Sequence, residues 1–308
     1  MIVVFVEHDS GTLTEASAEA LTFGRRLGDI EAICIGAPDT AALAEHGVGR
    51  IMSAAIEGTY APQAWGAAVA EAATGATVVL AAGTERGNEV LAHAAIDLNA
   101  PFAANCLSYA DGNALRIRWG GSLREEATVA APLAVLTVAP HSVEASPTSV
   151  AASPEIVALT LELSPEALAV RIVDQEQASD GVTLATAKVV VSGGRGVGSA
   201  EGFGELEELA ELLGGKVGCS RVATNNGWRN HADQVGQTGT VIAPELYIAC
   251  GISGAIQHWV GMMASKNILA INTDAEAPMV TKADYAVIGD LHEVLPALTA
   301  AVRAAKGL

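Results

Sequence analysis

Short apolar runs alternate with stretches of helical spacing in the amino-terminal part of the chain, and this alternation constrains the fold more than any other feature. Ile2–Val6, Ile30–Gly36 and Thr77–Ala82 are nearly unbroken runs of β-branched and small apolar residues. Between them, Thr14–Leu27, Ala61–Ala73 and Asn88–Leu98 repeat Ala and Leu at intervals of three and four. A strand that is apolar at consecutive positions needs cover on both faces, which a parallel sheet with helices on each side provides. Each strand–helix–strand unit then crosses over with a right hand. Hydrophobic residues make up 50% of the chain and aromatic ones only 4%, so β-branched side chains fill the strands while Ala and Leu fill the helices. The expected class is α/β, with two domains, each a mainly parallel sheet flanked by helices.

From Cys106 to Pro140 the texture changes, and Leu115–Trp119, Ala127–Ala130 and Leu133–Val138 read as short strands extending the sheet in a less regular order. His141–Pro154 reads as a loop and Ile156–Leu163 as a strand, while the polar stretch Ser164–Asp180 fits no single reading. A fresh strand–helix pattern begins near Gly181–Ala187, so the expected domains are 1–184 and 185–308. In the second, Lys188–Val191, Lys216–Cys219, Leu246–Cys250, Ile268–Ile271 and Tyr285–Ile288 are strands. Gly202–Leu213, a segment from Ser253 to about Met263, and Leu291–Ala305 are helices, and a long polar loop runs from Ser220 through Thr240. No short fixed repeat is visible, which excludes a solenoid.

The net charge of −18 argues against nucleic acid, because a phosphate backbone is bound through a basic surface, and it disfavours anionic membranes. Cys34, Cys106, Cys219 and Cys250 are scattered within or beside apolar runs and read as buried reduced thiols rather than a disulfide framework or metal site. The opening Met1-Ile2-Val3-Val4-Phe5-Val6 reads as a strand rather than a secretory signal, and no apolar run reaches transmembrane length. The expected location is cytoplasmic, without membrane insertion.

The second half carries the chemistry. Its strands run into Ser192-Gly193-Gly194-Arg195, Ser220-Arg221, Gly251-Ile252-Ser253-Gly254, Asn272-Thr273-Asp274 and Gly289-Asp290. If the strands are parallel, these ends share one edge of the sheet, where open α/β sheets take ligands. Glycines let a ligand approach the backbone, and a helix opening at Ser253 would offer free N–H groups to an anion. Arg195, Arg221 and His258 concentrate positive charge there. Any single one of these turns reads equally well as an ordinary glycine turn, and Gly193-Gly194-Arg195-Gly196 does not match GxGxxG; all five together point to a dinucleotide. The loop Asp233–Gly239 is rich in hydrogen-bonding groups and nearly uncharged, which suits the rim of a neutral heterocycle or a solvated surface loop. No Ser/His/acid set and no His pair at metal spacing stands out.

Several uncommon strings recur in order: Ser192-Gly193-Gly194-Arg195-Gly196, Ser220-Arg221, Gln234-Val235-Gly236-Gln237-Thr238-Gly239, Ala243-Pro244-Glu245-Leu246-Tyr247-Ile248 and Gly251-Ile252-Ser253-Gly254-Ala255-Ile256-Gln257-His258. Ala270-Ile271-Asn272, Glu276-Ala277-Pro278 and Ala283-Asp284-Tyr285 complete the run. Together they resemble the alpha subunit of electron-transfer flavoproteins from about Val189 onward; earlier, only Val6-Glu7-His8 and the α/β layout do. The resemblance implies that the second domain is Rossmann-like and binds one non-covalent FAD. Its site would comprise Arg195, Ser220, Arg221, Val235, Gly236, Gln237, Thr238, Ser253, Gly254, Ala255, Ile256, Gln257, His258, Asn272, Asp290 and Leu291. Arg221 and Thr238 would lie near the reactive part of the isoalloxazine, His258 near its pyrimidine edge, and Asn272 and Asp290 at the adenosine end. A ring that gains an electron carries negative charge, and one cation at about 4 Å and an effective dielectric near 20 is worth roughly 4 kcal/mol. Asn225 stands where the family usually has an acid.

The resemblance further implies an electron carrier without its own substrate, paired with a beta subunit that holds AMP or a second FAD. It would accept electrons from flavin dehydrogenases and pass them to a quinone reductase or similar acceptor, swivelling about residues 181–187. Two other readings are a flavin- or nicotinamide-dependent oxidoreductase with its own small substrate, and a nucleotide-binding regulatory module.

Overall fold

The computed structural model describes residues 1–9, 11–56, 60–129, 131–172 and 182–307. Three expectations touch residues outside this set: the strand ending at Ala130, the polar stretch over 173–180, and Gly181 at the head of the expected boundary. The chain divides into two compact units, Met1–Trp119 with Leu123–Gln177, and Gly120–Ser122 with Ala178–Leu308.

The first unit runs β1 (Ile2–Val6), the two-residue strands β2 (His8–Asp9) and β3 (Thr12–Leu13), α1 (Glu15–Arg25), β4 (Ile30–Ile35), α2 (Thr40–Glu45), β5 (Arg50–Ala54), α3 (Pro62–Ala72), β6 (Val78–Ala82) and α4 (Glu85–Asp97). It continues with β7 (Phe102–Ala110), β8 (Asn113–Arg118), β9 (Leu123–Thr128), β10 (Ala134–Val138) and β11 (Glu155–Leu159). Among the described residues its main sheet has the order β11-β5-β4-β1-β6-β10-β7-β8-β9. Strands β11 through β7 run parallel, and β8 and β9 close one edge antiparallel. The continuous apolar character of β1 is now explained. Ile2, Val4 and Val6 pack with Leu21 and Phe23 of α1 on one face, while Val3 and Phe5 pack with Val69 of α3 and Leu91 of α4 on the other.

Three of the elements that the sequence did not foreshadow have a clear physical origin. Strand β5 reads Arg-Ile-Met-Ser-Ala, with no apolar run of its own, and becomes a strand because β4 and β11 pair with it on both sides. Helix α2 is a single short stretch set by Asp39, whose carboxylate accepts from the N–H groups of Ala41 and Ala42, and it buries only Leu43. Strand β7 carries Asn105 at φ 58°, and its pairing shifts register around that region, so its pattern does not alternate cleanly.

The second unit runs β12 (Val189–Gly193), α5 (Phe203–Leu213), β13 (Lys216–Cys219), α6 (Arg221–Asn225), β14 (Leu246–Cys250), α7 (Ile256–Trp259), β15 (Ile268–Asn272), α8 (Pro278–Lys282), β16 (Tyr285–Ile288) and α9 (Leu291–Lys306). Its strands are parallel in the order β13-β12-β14-β15-β16. The chain leaves β12 toward β13 on one side, then crosses back to β14 on the other, so the order reverses between β12 and β14. Helix α5 buries Phe203, Leu206, Leu209 and Ala210 at intervals of three and four and ends on Gly214 in the left-handed conformation. Helix α9 is started by Asp290, whose carboxylate accepts from the His292 N–H at 3.0 Å.

Two expectations here need correction. The helix expected from Ser253 to about Met263 is the short α7 alone, capped at Ala255, with Ser253–Ala255 irregular and a turn over 260–263. Gly254 has φ +81°, outside the helical region, and the Ser253 carbonyl accepts from the Met279 N–H at 3.1 Å instead of from its own segment. The long polar loop after Cys219 also contains structure: α6 begins at Arg221, and a 3-10 turn spans His231–Asp233.

Candidate functional site

The crossover between β12 and β14 is built for close backbone approach. A Cβ on Gly193 would lie 2.5 Å from the Phe203 ring, so its absence lets α5 start hard against the end of β12. Past the strand ends, a Cβ on Gly251 would come within 2.6 Å of Gly196 Cα, and Gly251 itself has φ +61°, where any side chain is strained. The two loops interlock through the Gly194 N–H to Cys250 carbonyl bond (2.9 Å) and the Gly196 N–H to Gly251 carbonyl bond (3.0 Å). Above this floor opens a cavity of about 750 Å³, within the range of cofactor sites.

The cavity gathers most of the residues singled out from the sequence. Arg195 comes from the turn after β12, and Ser220 and Arg221 from the end of β13. Ser253, Gly254, Ala255, Gln257 and His258 come from the segment after β14, Asn272 from the end of β15, and Asp290 and Leu291 from the start of α9. Ile256 and the loop residues Val235, Gly236, Gln237 and Thr238 are not in its wall. That loop instead flanks α7, with the Gln237 N–H donating to the Gln257 carbonyl at 2.7 Å. Lining residues not assigned from the sequence include Thr273, Asp274 and His292. Thr273 and His292 adjoin assigned residues, and the strand-end string Asn272-Thr273-Asp274 was the available signal for Thr273 and Asp274.

One buried polar atom of this wall, Ser220 Oγ, has no hydrogen-bond partner, while His258 Nδ1 has no partner but the Val235 backbone. Ser220 stands at the start of α6, yet its hydroxyl makes no capping bond. His258 is 7% exposed, and its Nε2 lies 2.7 Å from the hydroxyl of the fully buried Tyr247. Burial pulls the His258 pKa down to about 4, opposed in part by the Val235 backbone, so the ring is neutral at pH 7. The sequence reading counted His258 among the positive groups; burial corrects that, and Arg195 and Arg221, both exposed, carry the positive charge of the cavity. Burial also pushes the Cys219 and Cys250 thiols up to about 12, leaving them protonated and unreactive. Other polar groups are already engaged: Asn272 donates to the Ile252 carbonyl at 3.1 Å and accepts from the Asp274 N–H at 3.1 Å. Among the described residues, no group of three or more His, Cys, Asp or Glu is placed to hold a metal ion, and no helix is long and apolar enough to cross a membrane.

A five-stranded parallel sheet whose order reverses beside a glycine-floored crevice defines a doubly wound α/β protein of the kind that takes ligands at its crossover. The electron transfer flavoprotein FAD-binding domain matches residues 183–263, and the electron transfer flavoprotein domain matches residues 2–164. The chain is 38% identical to the electron transfer flavoprotein subunit alpha of Mycobacterium leprae, over 99% of both chains. It is 40% identical to that of Mycobacterium tuberculosis, again over 99% of both, and 36% identical to that of Paracoccus denitrificans, over 97% of this chain and 98% of the other. The chain belongs to the electron transfer flavoprotein alpha-subunit family. Membership supports FAD binding and an electron carrier role, and does not favour an oxidoreductase with its own small substrate. The match over residues 2–164 also carries the likeness through the first unit, well beyond Val6-Glu7-His8.

Proposed function

We propose that this chain holds one non-covalent FAD in the second-unit crevice and carries electrons as half of a heterodimer, turning over no substrate of its own. The observation that carries this reading is the buried, unpartnered Ser220 Oγ at the wall, above an interlocked glycine floor. A buried polar group left unpaired costs roughly 1–3 kcal/mol, and a ligand rich in hydrogen-bonding groups relieves that cost. The residues therefore fit the group that the family implies.

Bound FAD supplies reversible electron uptake. Arg195 faces the phosphates, since an exposed guanidinium on the cavity wall suits them. Asn272 and Asp290 serve the adenosine end with the polar capacity left over from the turn and the helix cap. Arg221 sits by the reactive part of the ring and favours its gain of charge. Thr238, with Val235, Gly236 and Gln237, forms the rim beside it, and Ser253 to His258 the opposite edge, where neutral His258 acts by hydrogen bonding. Leu291 walls the crevice with apolar surface. Residues 185–308 form the FAD domain and residues 1–184 pack against a beta subunit carrying AMP or a second FAD. Flavin dehydrogenases are the donors and a quinone reductase or similar protein the acceptor, in the cytoplasm. A swivel about residues 181–187 lets the FAD domain reach successive partners; domain orientations that stay fixed in solution scattering, free and bound, would rule it out.

The decisive experiment is a visible spectrum of the chain co-expressed with its beta subunit, recorded during stepwise reduction. The expected result is a yellow complex with one flavin in this chain. Colourless protein that takes up no added FAD refutes the proposal.

A further inference from the structure

Gln234 is 2% exposed, yet it forms no part of the cavity wall. Its backbone is clamped: the Val235 N–H donates to the Cys219 carbonyl at the end of β13 (2.9 Å), and the Gln234 carbonyl accepts from the Thr240 N–H (2.7 Å). Its side-chain amide joins two segments. On one side Thr224, one turn after Arg221 in α6, donates its hydroxyl to Gln234 Oε1 at 2.7 Å and lies 3.0 Å from the Arg221 carbonyl. On the other, Gln234 Nε2 donates to Thr238 Oγ1 at 3.0 Å. A threonine hydroxyl has one proton. When its oxygen accepts from within, that proton is left for the outward side, and Thr238 is exposed.

We propose that Gln234 is a positioning residue: its buried amide fixes the Thr238 hydroxyl as an outward-facing donor and ties it to the turn that carries Arg221. The two groups then meet the cofactor ring as one preset unit. This rests on the reading that a flavin ring lies against Thr238 and Arg221. A donor bond to that ring strengthens as the ring gains electrons, so losing it weakens the reduced state most.

The test uses the flavin-loaded heterodimer and reads the flavin midpoint potential, the FAD dissociation constant and thermal stability. Gln234→Leu leaves the Thr238 proton unset. The expected change is about fivefold in the relative binding of reduced and oxidised flavin, the ratio for one ordinary hydrogen bond. That ratio corresponds to a potential lowered by about 40 mV at 59 mV per tenfold for one electron. In a Thr238→Val background the same substitution adds nothing to the potential, although it still lowers stability. Gln234→Glu supplies an independent arm, and carries the test if Gln234→Leu fails to fold. An ionised carboxylate only accepts, so Thr238 turns its proton inward and the potential falls. Once the buried acid is protonated at lower pH it donates again and the potential recovers. The part of that fall due to charge alone is the part that persists with Thr238→Val.

Potentials that shift equally with and without the Thr238 hydroxyl, or no recovery of Gln234→Glu at low pH, would overturn this inference while the wild type holds its flavin. A wild-type heterodimer that holds no flavin would overturn the underlying reading and this inference with it.

Discussion

His258 gives the sharpest quantitative prediction. Its pKa is held at about 4 by burial, against an ordinary value of 6.5. The depressed value means that the folded state disfavours the proton. Between those two values the unfolded chain binds a proton that the folded chain refuses, so stability falls as pH falls through this window and is unaffected by this group above it. A difference of about 2.5 units corresponds to roughly 3 kcal/mol in full, of which about 2 kcal/mol is lost between pH 7.5 and pH 5. His258→Gln removes the titration. Urea unfolding of the wild type and the variant at pH 7.5 and 5, followed by tryptophan fluorescence, should show the wild type losing about 2 kcal/mol more than the variant. Trp228 and Trp259 report from the same packed unit. Proton NMR checks the same claim directly: the His258 ring resonances should stay in their neutral position down to below pH 5. A ring that titrates near 6.5, or equal losses in both proteins, refutes the argument that burial rather than charge governs this residue.

Arg221→Ala should lower the flavin potential, measured by dye-coupled reduction. One charge at about 4 Å is worth about 1 kcal/mol in water and about 4 at a dielectric near 20, so the shift falls between about 40 and 170 mV. The exposure of Arg221 favours the lower end, and an unchanged potential would deny it the role. Gly251→Ala places a Cβ 2.6 Å from Gly196 Cα at a φ of +61°. Strain of this kind costs on the order of 1–3 kcal/mol, so thermal melts should move down and flavin should be lost on dialysis. Asp290→Asn keeps the α9 cap, because Asn caps as well as Asp, and stability should hold within a few tenths of a kcal/mol. Asp290→Ala should cost about 1 kcal/mol. Weaker FAD retention in Asp290→Asn despite an unchanged melt would separate the ligand role from the cap.

Periodicity alone determined the class of fold. Strands such as Ile2–Val6 and Leu246–Cys250 appear where the apolar runs said they would, because a strand buried on both faces has no other way to be written. The five strand ends were legible as a ligand edge for the same local reason: glycine and short polar residues break a run and leave the backbone open. Recurring strings then named the family. Pairing and burial were a different matter. Strand β5 exists only because two neighbours bond to it, and α7 is short because Gly254 and the Met279 N–H draw the chain out of the helical path. The charge of His258 was decided by the burial of its ring. The amide of Gln234 acquired its two partners only when residues on α6 and on the loop after Val235 came together. Local chemistry is written residue by residue, whereas desolvation and hydrogen-bond direction depend on what the rest of the chain places alongside.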